Sequence, residues 1–257
     1  MFEMLNNKIR KSFSETADQY DILASLHREI GRELILKLTK IPKVDAVLDV
    51  GCGTGYLTGK ARYFFPDARV VGLDFAEGML KVAQEKHENI EWVLADAQEL
   101  SFADASFDIV ISNLAYQWVA DLPKAFGHVH RVLAPEGTFA CTLFGFHTCD
   151  ELFQSFDLAS EGKLKFTRLP QLPEVEEALK QAGFVEPKVD YERIKVQFND
   201  MKDLTNWLKS IGANNLPREG YAGKEVMARA AAIYQEKFPY HHGVCATFEV
   251  IWVHAQK

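Results

Sequence analysis

A glycine-rich turn between an apolar strand and a helix constrains the fold of this chain most. The run from Ala46 to Val50 is short and apolar, Gly51-Cys52-Gly53-Thr54-Gly55 follows it, and a helical pattern continues to about Phe65. Glycines in such a turn let the backbone approach a ligand closely, and the first N–H groups of the next helix face that ligand. The segment therefore predicts a ligand site at the carboxyl end of a buried strand.

The alternation of strand and helix continues beyond this turn. Further strands are predicted at 69–74, 90–95, 107–113 and 138–144, with helices at 77–87 and 122–133. Units of this kind join parallel strands through helices that cover both faces of a sheet. The pattern therefore predicts an α/β fold.

Helices flank this alternating region on both sides. An amphipathic helix is predicted at 14–40, and beyond residue 144 we expect helices at 149–161, 174–181, 201–211 and 223–238, with strands at 184–191, 195–198 and 244–254. The simplest interpretation is one domain over 1–257 with its core at 44–145. Residues 145–170 and 200–242 would be helical additions that could cover the sheet.

Length and composition are those of an ordinary globular chain: 257 residues, 47% apolar and 25% charged. The uncharged stretch 137–149 is shorter than the roughly 20 residues that a membrane-spanning helix needs. Glu15 and Asp18 follow the basic residues near the start, where a secretory signal would be apolar. We therefore expect no membrane association and a cytoplasmic location.

The four cysteines, Cys52, Cys141, Cys149 and Cys245, show neither CxxC nor Cys/His ligand spacing. They are expected to be reduced and mostly buried, and no metal site is predicted.

The net charge of −7 argues against general nucleic-acid binding, but it is unevenly distributed. Basic and acidic side chains number seven and six in residues 1–40, 15 and 25 in 41–200, and seven and five in 201–257. The two ends of the chain are therefore the candidates for contact with an acidic partner.

The turn does not fit the common nucleotide motifs. A dinucleotide fingerprint would need glycine at position 56, where the chain has Tyr56, and no Walker lysine follows. An acidic residue two positions before G-x-G-x-G instead resembles motif I of class I S-adenosylmethionine-dependent methyltransferases. This resemblance implies cofactor-binding roles for Asp49, Gly51, Cys52, Gly53 and Gly55.

Polar residues at the ends of the next three strands extend the resemblance. Asp74 ends the second strand, where a carboxylate can accept both hydrogen bonds of a ribose diol. Each such residue alone is often a turn or cap residue, but their order along the chain matches the superfamily. The resemblance implies that Asp74 lies at the ribose, Met79, Asp96 and Ala97 at the adenine, and Asn113 at the methionine end, and that Phe75 also binds the cofactor.

The superfamily resemblance, over about 44–145, implies a Rossmann-like class I methyltransferase fold. That fold has a mostly parallel seven-stranded sheet, helices on both faces and an antiparallel C-terminal strand. The implied cofactor is S-adenosyl-L-methionine, with S-adenosyl-L-homocysteine as product.

Segments outside these motifs resemble a narrower family, the malonyl-acyl-carrier-protein O-methyltransferases of biotin synthesis. They are Phe13-Ser14 with Ala17 and Tyr20-Asp21, the run Ser112 to Trp118, Leu208 to Asn214, and Ala246 to Val250, where Phe248 replaces the usual tyrosine. The chain departs from the family by lacking the glycine usually found before Thr148. The family implies methylation of the free carboxylate of a malonyl group, with residues 1–40 as a helical lid.

A carboxylate is already ionised near neutral pH, so the reaction needs no general base. Substrate-positioning candidates are Tyr20, Tyr116, Gln117 and Arg218, whereas Trp118 is expected to pack in the core. Arg218 is included because a guanidinium binds a carboxylate in a bidentate manner.

An acyl-carrier protein is the partner that the resemblance implies. Because a carrier is acidic, it is expected to dock on Lys8, Arg10 and Lys11 and on the basic residues of 201–257, which include Lys202, Lys209, Arg218, Lys224 and Arg229. Two alternatives stay open: a class I methyltransferase acting on a free small acid such as trans-aconitate, and a cofactor-binding protein without catalysis.

Overall fold

The computed structural model describes residues 2–213 and 218–257, without the side chains of residues 2–6 and Arg218. Its helices are α1 (Phe2–Leu23), α2 (Ser25–Leu38), α3 (Tyr56–Phe64), α4 (Glu77–Lys86), α5 (Leu122–Val132), α6 (Asp150–Ser160), α7 (Leu172–Gln181), α8 (Met201–Ser210) and α9 (Lys224–Lys237). Its strands are β1 (Ala46–Val50), β2 (Arg69–Asp74), β3 (Glu91–Leu94), β4 (Phe107–Asn113), β5 (Leu133–Phe144), β6 (Lys165–Phe166), β7 (Lys188–Phe198), β8 (Arg218–Glu219), β9 (Pro239–Tyr240) and β10 (Gly243–Gln256).

The main sheet has the order β3-β2-β1-β4-β5-β10-β7. Neighbouring strands from β3 to β5 are parallel, and β10 is antiparallel to both β5 and β7. The short β9 pairs with the beginning of β10 as an eighth strand. The prediction of a mostly parallel sheet with an antiparallel C-terminal strand is thus confirmed.

Helices cover both faces of the sheet. On one face, α5 and α7 bury Phe126, Val129 and Leu179 against the central strands. On the other face, α2 and α3 bury Leu34 and Leu57. Sheet strands with apolar side chains on both faces require this double cover, because either face left in water would expose apolar surface.

A second core lies beyond the sheet. It joins α6, α8 and α9 to the first half of β10, and Phe156, Leu204, Tyr234 and Phe248 are buried in it. The two-residue strands β6 and β8 pair with each other and link the segment after α6 to the segment before α9. The regions predicted as helical additions therefore pack together as one layer.

Helix α1 is amphipathic and packs on α4 and α8. Its inward positions Ile9, Phe13, Ala17 and Tyr20 follow helical spacing, and Ile9 and Ala17 are buried. The end of the helix is held by a hydrogen bond in which Trp207 Nε1 donates to the Leu23 carbonyl oxygen at 3.0 Å. This helix closes one side of the space above the carboxyl ends of the strands.

Two sequence predictions of secondary structure were wrong. The opening region is two helices, because the backbone at Ala24 leaves helical geometry at ψ 42°. The segment 188–198 is one strand, and Phe184 precedes it in the core. The charged residues in the middle of β7 hid this continuity, and an edge strand tolerates them on its exposed side.

The four cysteines are unpaired and buried, which confirms their prediction. Over residues 2–213 and 218–257, no helix is both long and apolar enough to cross a bilayer.

Candidate functional site

A pocket lies at the carboxyl ends of β1, β2, β3 and β4. The chain runs outward from β1 to β2 in one direction and later adds β4 on the other side of β1. Such a switch point leaves a crevice where open α/β sheets bind their ligands. The space measures about 720 Å³, part of it open to solvent. Its walls are Phe13, Tyr20, Gly51, Gly53, Leu73, Asp74, Phe75, Met79, Ala95, Asp96, Ala97, Gln98, Asn113, Leu114, Ala115, Trp118 and Val119.

A smaller pocket adjoins the first one and shares Tyr20, Gly51, Gly53 and Asn113 with it. Its remaining walls are Asp21, Ala24, His27, Arg28, Asp49, Cys52, Thr54, Tyr56 and Leu57. The two pockets therefore meet where β1 and β4 end, beneath the last turns of α1.

Gly51 and Gly53 shape the turn between the pockets. Both have positive φ, at 72° and 55°, which disfavours any residue with a Cβ atom. A Cβ atom on Gly51 would lie 2.3 Å from the Ala115 Cβ atom, whereas one on Gly53 would meet no atom within 4 Å. Gly51 thus permits close packing of the turn on the segment after β4, and Gly53 leaves backbone open to a ligand.

Two buried carboxylates lie beside this turn. Asp74 is 6% exposed and accepts hydrogen bonds from the backbone N–H groups of Gly53 and Ala76 at 2.9 and 2.8 Å. Asp49 is 1% exposed; its Oδ2 accepts from Thr58 Oγ1 at 2.6 Å, and its Oδ1 is buried without a partner. Burial raises the pKa of Asp74 to about 6 and that of Asp49 to about 7. No cation of the described residues forms an ion pair with either one, so a cationic ligand would stabilise both carboxylates.

The other predicted cofactor residues occupy different positions. Phe75, Met79, Asp96, Ala97 and Asn113 line the first pocket, and Cys52 lines the second. Gly55 lines neither of these pockets and instead begins α3 with φ 83°.

Asn113 joins β4 to α2 as well as facing the pockets. Its Nδ2 donates to the His27 carbonyl oxygen at 2.9 Å, and its Oδ1 accepts from Thr142 Oγ1 at 2.8 Å. Both ends of the amide are therefore in use within the protein. The side chain fixes the position of α2 at the junction of the two pockets.

Sequence reasoning missed Arg28, which lines the smaller pocket. Its Nη1 is buried without a partner, and the guanidinium forms no hydrogen bond or ion pair with the described part of the chain. An unpaired, partly buried guanidinium is costly unless an anion meets it. A signal was present: Gly31, Leu34 and Ile35 form the buried stripe of α2, and Arg28 is one turn before Gly31 on that side.

The donor set fits S-adenosylmethionine. The carboxylate of Asp74 suits the two hydroxyl donors of a ribose diol, and the apolar side chains of Phe75 and Met79 suit an adenine ring. In the smaller pocket, Asp49 has an unpartnered oxygen that suits an ammonium or sulfonium group, and Arg28 has an unpaired cation that suits the methionine carboxylate. The charges of the site are therefore complementary to the charges of this cofactor.

The structure separates the four substrate candidates. Tyr20 lines both pockets. Tyr116 is fully buried against Phe126 and Phe139 and lines neither pocket, and its hydroxyl oxygen is buried without a partner. Gln117 is buried as well, lines neither pocket and donates to the Leu114 carbonyl oxygen at 2.7 Å. The side chain of Arg218 lies outside the described residues.

Trp118 was expected in the core and instead lines the first pocket. Its ring meets the Phe13 ring edge to face, with 5.8 Å between centroids. Tyr116 and Trp118 lie in one turn of 3-10 helix, Tyr116–Trp118, where residues two apart face different directions. The turn therefore sends the tyrosine inward and the tryptophan to the pocket.

Known proteins share this architecture. The chain resembles the YcgJ protein from Bacillus subtilis, with TM-score 0.64 and 18% identity over 88% of this chain and 97% of that chain. It also resembles phosphoethanolamine N-methyltransferase 2 of Haemonchus contortus in complex with S-adenosyl-L-methionine, with TM-score 0.56 and 23% identity over 88% of this chain and 52% of that chain. At these identities the likeness shows the fold.

Sequence comparison gives the family. The family described as "Methyltransferase domain" matches residues 48–141. The malonyl-[acyl-carrier protein] O-methyltransferase of Hahella chejuensis is 35% identical over 250 residues, which are 95% of this chain and 88% of the relative. The enzyme of the same name from a Methylovorus species is 34% identical over 97% of this chain and 88% of the relative. The protein is therefore a methyltransferase that belongs to the malonyl-[acyl-carrier protein] O-methyltransferase family.

Proposed function

We propose that the protein transfers a methyl group from S-adenosylmethionine to the free carboxylate of a malonyl group carried as a thioester on acyl-carrier protein. The likeness to relatives of that name over nearly the whole chain carries the proposal. The general methyltransferase match ends at residue 141, whereas the relatives also match the α6, α8 and α9 layer that follows. The likeness to these relatives therefore extends well beyond the cofactor-binding core.

The chemistry suits a site that has no dedicated base. S-adenosylmethionine supplies an electrophilic methyl group, which a carboxylate oxygen takes by in-line displacement to form a methyl ester. No proton has to leave the substrate, because a carboxylic acid is already ionised near neutral pH. The residues of the chain then act by holding the substrate oxygen in line, an orientation effect of up to about 7–11 kcal/mol.

Aromatic side chains enclose the proposed reaction site. Phe13 and Tyr20 from α1 and Trp118 after β4 line the same pocket. Burial raises the pKa of Tyr20, so its phenol stays protonated and able to donate a hydrogen bond. These side chains would exclude water from the reacting atoms, and Tyr20 is the positioning candidate that the structure leaves at the pocket.

Asp74→Asn is expected to weaken S-adenosylmethionine binding at least tenfold at pH 8. The change removes charge-assisted hydrogen bonds to the ribose, each worth about 1.5–3 kcal/mol. Because the ligand favours the ionised forms of Asp74 and Asp49, wild-type affinity should rise with pH through their free-state pKa values of about 6 and about 7, and Asp74→Asn should lose the lower step of this rise. Calorimetric titration between pH 5 and pH 8 checks both points, and an unchanged dissociation constant in the variant would remove Asp74 from the ribose site.

The proposed partner surface consists of basic side chains on three helices that pack in succession, α1, α8 and α9. Lys202, Lys209 and Lys224 are exposed and form no ion pair within the described residues. Lys209 lies near the end of α8, close to Gly212, where an added Cβ atom would lie 2.9 Å from the Phe13 ring. The surface thus reaches the helix that borders the pocket, where a carrier-bound acyl chain has to enter.

The direct test offers malonyl-carrier protein, malonyl-CoA and trans-aconitate side by side in a labelled-methyl transfer assay. The kcat/KM for malonyl-carrier protein should fall steeply between about 0.05 and 0.5 M salt, because salt screens attraction between exposed charges. Malonyl-CoA should show a shallower dependence. Lys209→Glu should slow only the carrier-bound reaction, and Lys180→Glu on α7 is the control with the same charge change on a helix that packs against α5.

Each outcome of this assay assigns the substrate. Preference for trans-aconitate with no salt effect would replace the proposal by a free-acid methyltransferase. Equal salt dependence for both malonyl thioesters would remove the docking surface but keep the malonyl substrate. The role of Arg218 as partner of the substrate carboxylate and the cytoplasmic location stay predictions.

A further inference from the structure

His27 is a polar side chain of the smaller pocket that the cofactor assignment leaves unused, and it contacts Tyr20 and Asn113, which line both pockets. It lies on α2 and lines the smaller pocket. Its ring meets the rings of Tyr20, Phe144 and Trp207, with centroids 5.9, 5.6 and 6.4 Å away. The imidazole is thus held on several sides by aromatic groups that offer it no strong hydrogen bond.

The surroundings of the ring decide its protonation. Nδ1 is buried without a partner, so a proton on Nδ1 would be an unsatisfied buried donor. Burial also lowers the pKa of His27 to about 4, which keeps the ring neutral at physiological pH. The proton of the neutral ring therefore belongs on Nε2. Nε2 also has no hydrogen-bond partner among the described residues, but unlike Nδ1 it is not fully buried, so Nε2–H is the ring donor that a ligand in this pocket can reach.

The backbone places this donor beside the reaction site. The His27 carbonyl oxygen accepts from Asn113, which lines both pockets, and the His27 ring contacts Tyr20, which also lines both. A cofactor whose adenosine fills one pocket and whose methionine fills the other has its sulfonium at this junction. His27 is then next to the place where a methyl group leaves.

We propose that His27 binds the substrate, and that its Nε2–H donates a hydrogen bond to the malonyl carboxylate oxygen that does not take the methyl group. This inference rests on the proposed function. That oxygen becomes the ester carbonyl oxygen, which still accepts the same bond. A neutral donor orients the carboxylate without the strong charge stabilisation of a cation, which would also lower the reactivity of the attacking oxygen.

Two substitutions distinguish a hydrogen bond donated by His27 from a role of its ring in packing. His27→Phe keeps an aromatic ring against its neighbours but removes the donor, whereas His27→Gln keeps a donor of similar reach. We expect His27→Phe to lower kcat/KM for malonyl-CoA by about tenfold to 100-fold, the loss of one bond to a charged group. His27→Gln should stay within about threefold of wild type, and the calorimetric dissociation constant of S-adenosylmethionine should change less than about twofold in both variants.

A matched control is available in α5. His128 also has a buried, unpartnered Nδ1, but it lines neither pocket. His128→Phe should leave malonyl-CoA turnover unchanged. Equal losses in His27→Phe and His27→Gln, full activity in His27→Phe, or a parallel loss of cofactor affinity would each overturn the assignment.

A measurement on the unaltered protein guards against a variant that fails to fold. With imidazoles labelled by ¹⁵N and S-adenosylhomocysteine bound, titration with malonyl-CoA should shift the Nε2 resonance of one neutral histidine, and that resonance should be absent in His27→Gln. No shift of any histidine at saturating malonyl-CoA would overturn the inference.

The assay with wild type separates failure of the proposed function from failure of this inference. If wild type methylates no malonyl thioester, the proposed function fails and the inference fails with it. If wild type is fully active and His27→Phe is unaffected, only the inference is rejected.

Discussion

Replacement of Arg28 by glutamine is expected to weaken S-adenosylmethionine binding by about 30-fold or more. The guanidinium lines the smaller pocket, its Nη1 is buried, and the described residues supply no anion for it. We expect the methionine carboxylate of the cofactor to be the anion that pairs with Arg28. Loss of one partner of a buried, hydrogen-bonded charge pair costs at least about 2 kcal/mol, which corresponds to that factor. Calorimetric titration measures the change.

The ligand series makes this prediction specific. S-adenosylhomocysteine retains the carboxylate and should lose affinity by a similar factor, whereas adenosine occupies only the larger pocket and should bind Arg28→Gln as it binds wild type. Arg28→Lys should be intermediate, because it keeps the charge but not the bidentate geometry.

Arg32→Gln is the matched control, because Arg32 lies one turn further along α2, is exposed and lines neither pocket. It should leave both cofactor affinity and turnover unchanged. If Arg28→Gln instead keeps normal cofactor affinity and raises the KM for malonyl-CoA, Arg28 binds the substrate carboxylate and not the cofactor.

The larger pocket could be predicted from the sequence because its residues follow strands directly. Asp74 ends β2, Asp96 follows β3 closely and Asn113 ends β4. In a parallel sheet those ends share one edge, so order along the chain is enough to bring the side chains together. The glycine-rich turn at Gly51 also predicted that the site lies at the end of β1, the strand at which the strand order switches from one side to the other.

The helical side of the site was harder to predict. His27 and Arg28 belong to α2. The sequence predicted the apolar face of this helix but gave no role to these two polar residues near its beginning. Their position depends on a contact between distant segments, in which Asn113 donates to the His27 carbonyl oxygen. Gly31 allows this approach, because a Cβ atom there would lie 3.1 Å from Asn113 Nδ2. Local patterns do not encode such a contact.

In the short turn after β4, too, local sequence patterns did not predict where the side chains point. Tyr116 and Trp118 are both large aromatic residues in one short motif, and the sequence assigned them the reverse of their places. Tyr116 packs with Phe126 of α5, so its direction depends on which helix covers that end of the sheet. Residue type alone therefore could not decide which aromatic side chain faces the ligand.

Gly78→Ala is expected to lower methyl transfer by about tenfold to 100-fold without unfolding the protein. Gly78 lies in α4 outside both pockets, and an added Cβ atom would lie 2.5 Å from the carbonyl oxygen and 2.8 Å from the Cα atom of Ser14. These are backbone atoms, so α1 has to shift away from α4. The shift displaces Phe13 and Tyr20, and a misplacement of about 1 Å can cost a factor of 100 in rate. Initial rates with malonyl-CoA measure the effect.

This result would test the expectation that residues 1–40 form a lid over the site. The substitution acts on α1 rather than on α4, because alanine itself favours a helix. Alanine in place of glycine inside a helix contributes about 0.5–1 kcal/mol of stability, which offsets part of the steric cost in α4. Gly127→Ala in α5 is the control: its Cβ atom would meet nothing within 4 Å, so thermal stability should rise and turnover should not change. Arg10 and Lys11 are exposed, so trypsin cleavage there depends on local unfolding of α1; a displaced α1 should unfold more readily and be cleaved faster in Gly78→Ala alone. Full turnover in a Gly78→Ala protein whose α1 is cleaved faster would show that the helix only packs on the domain, since the active site would then work without its closure.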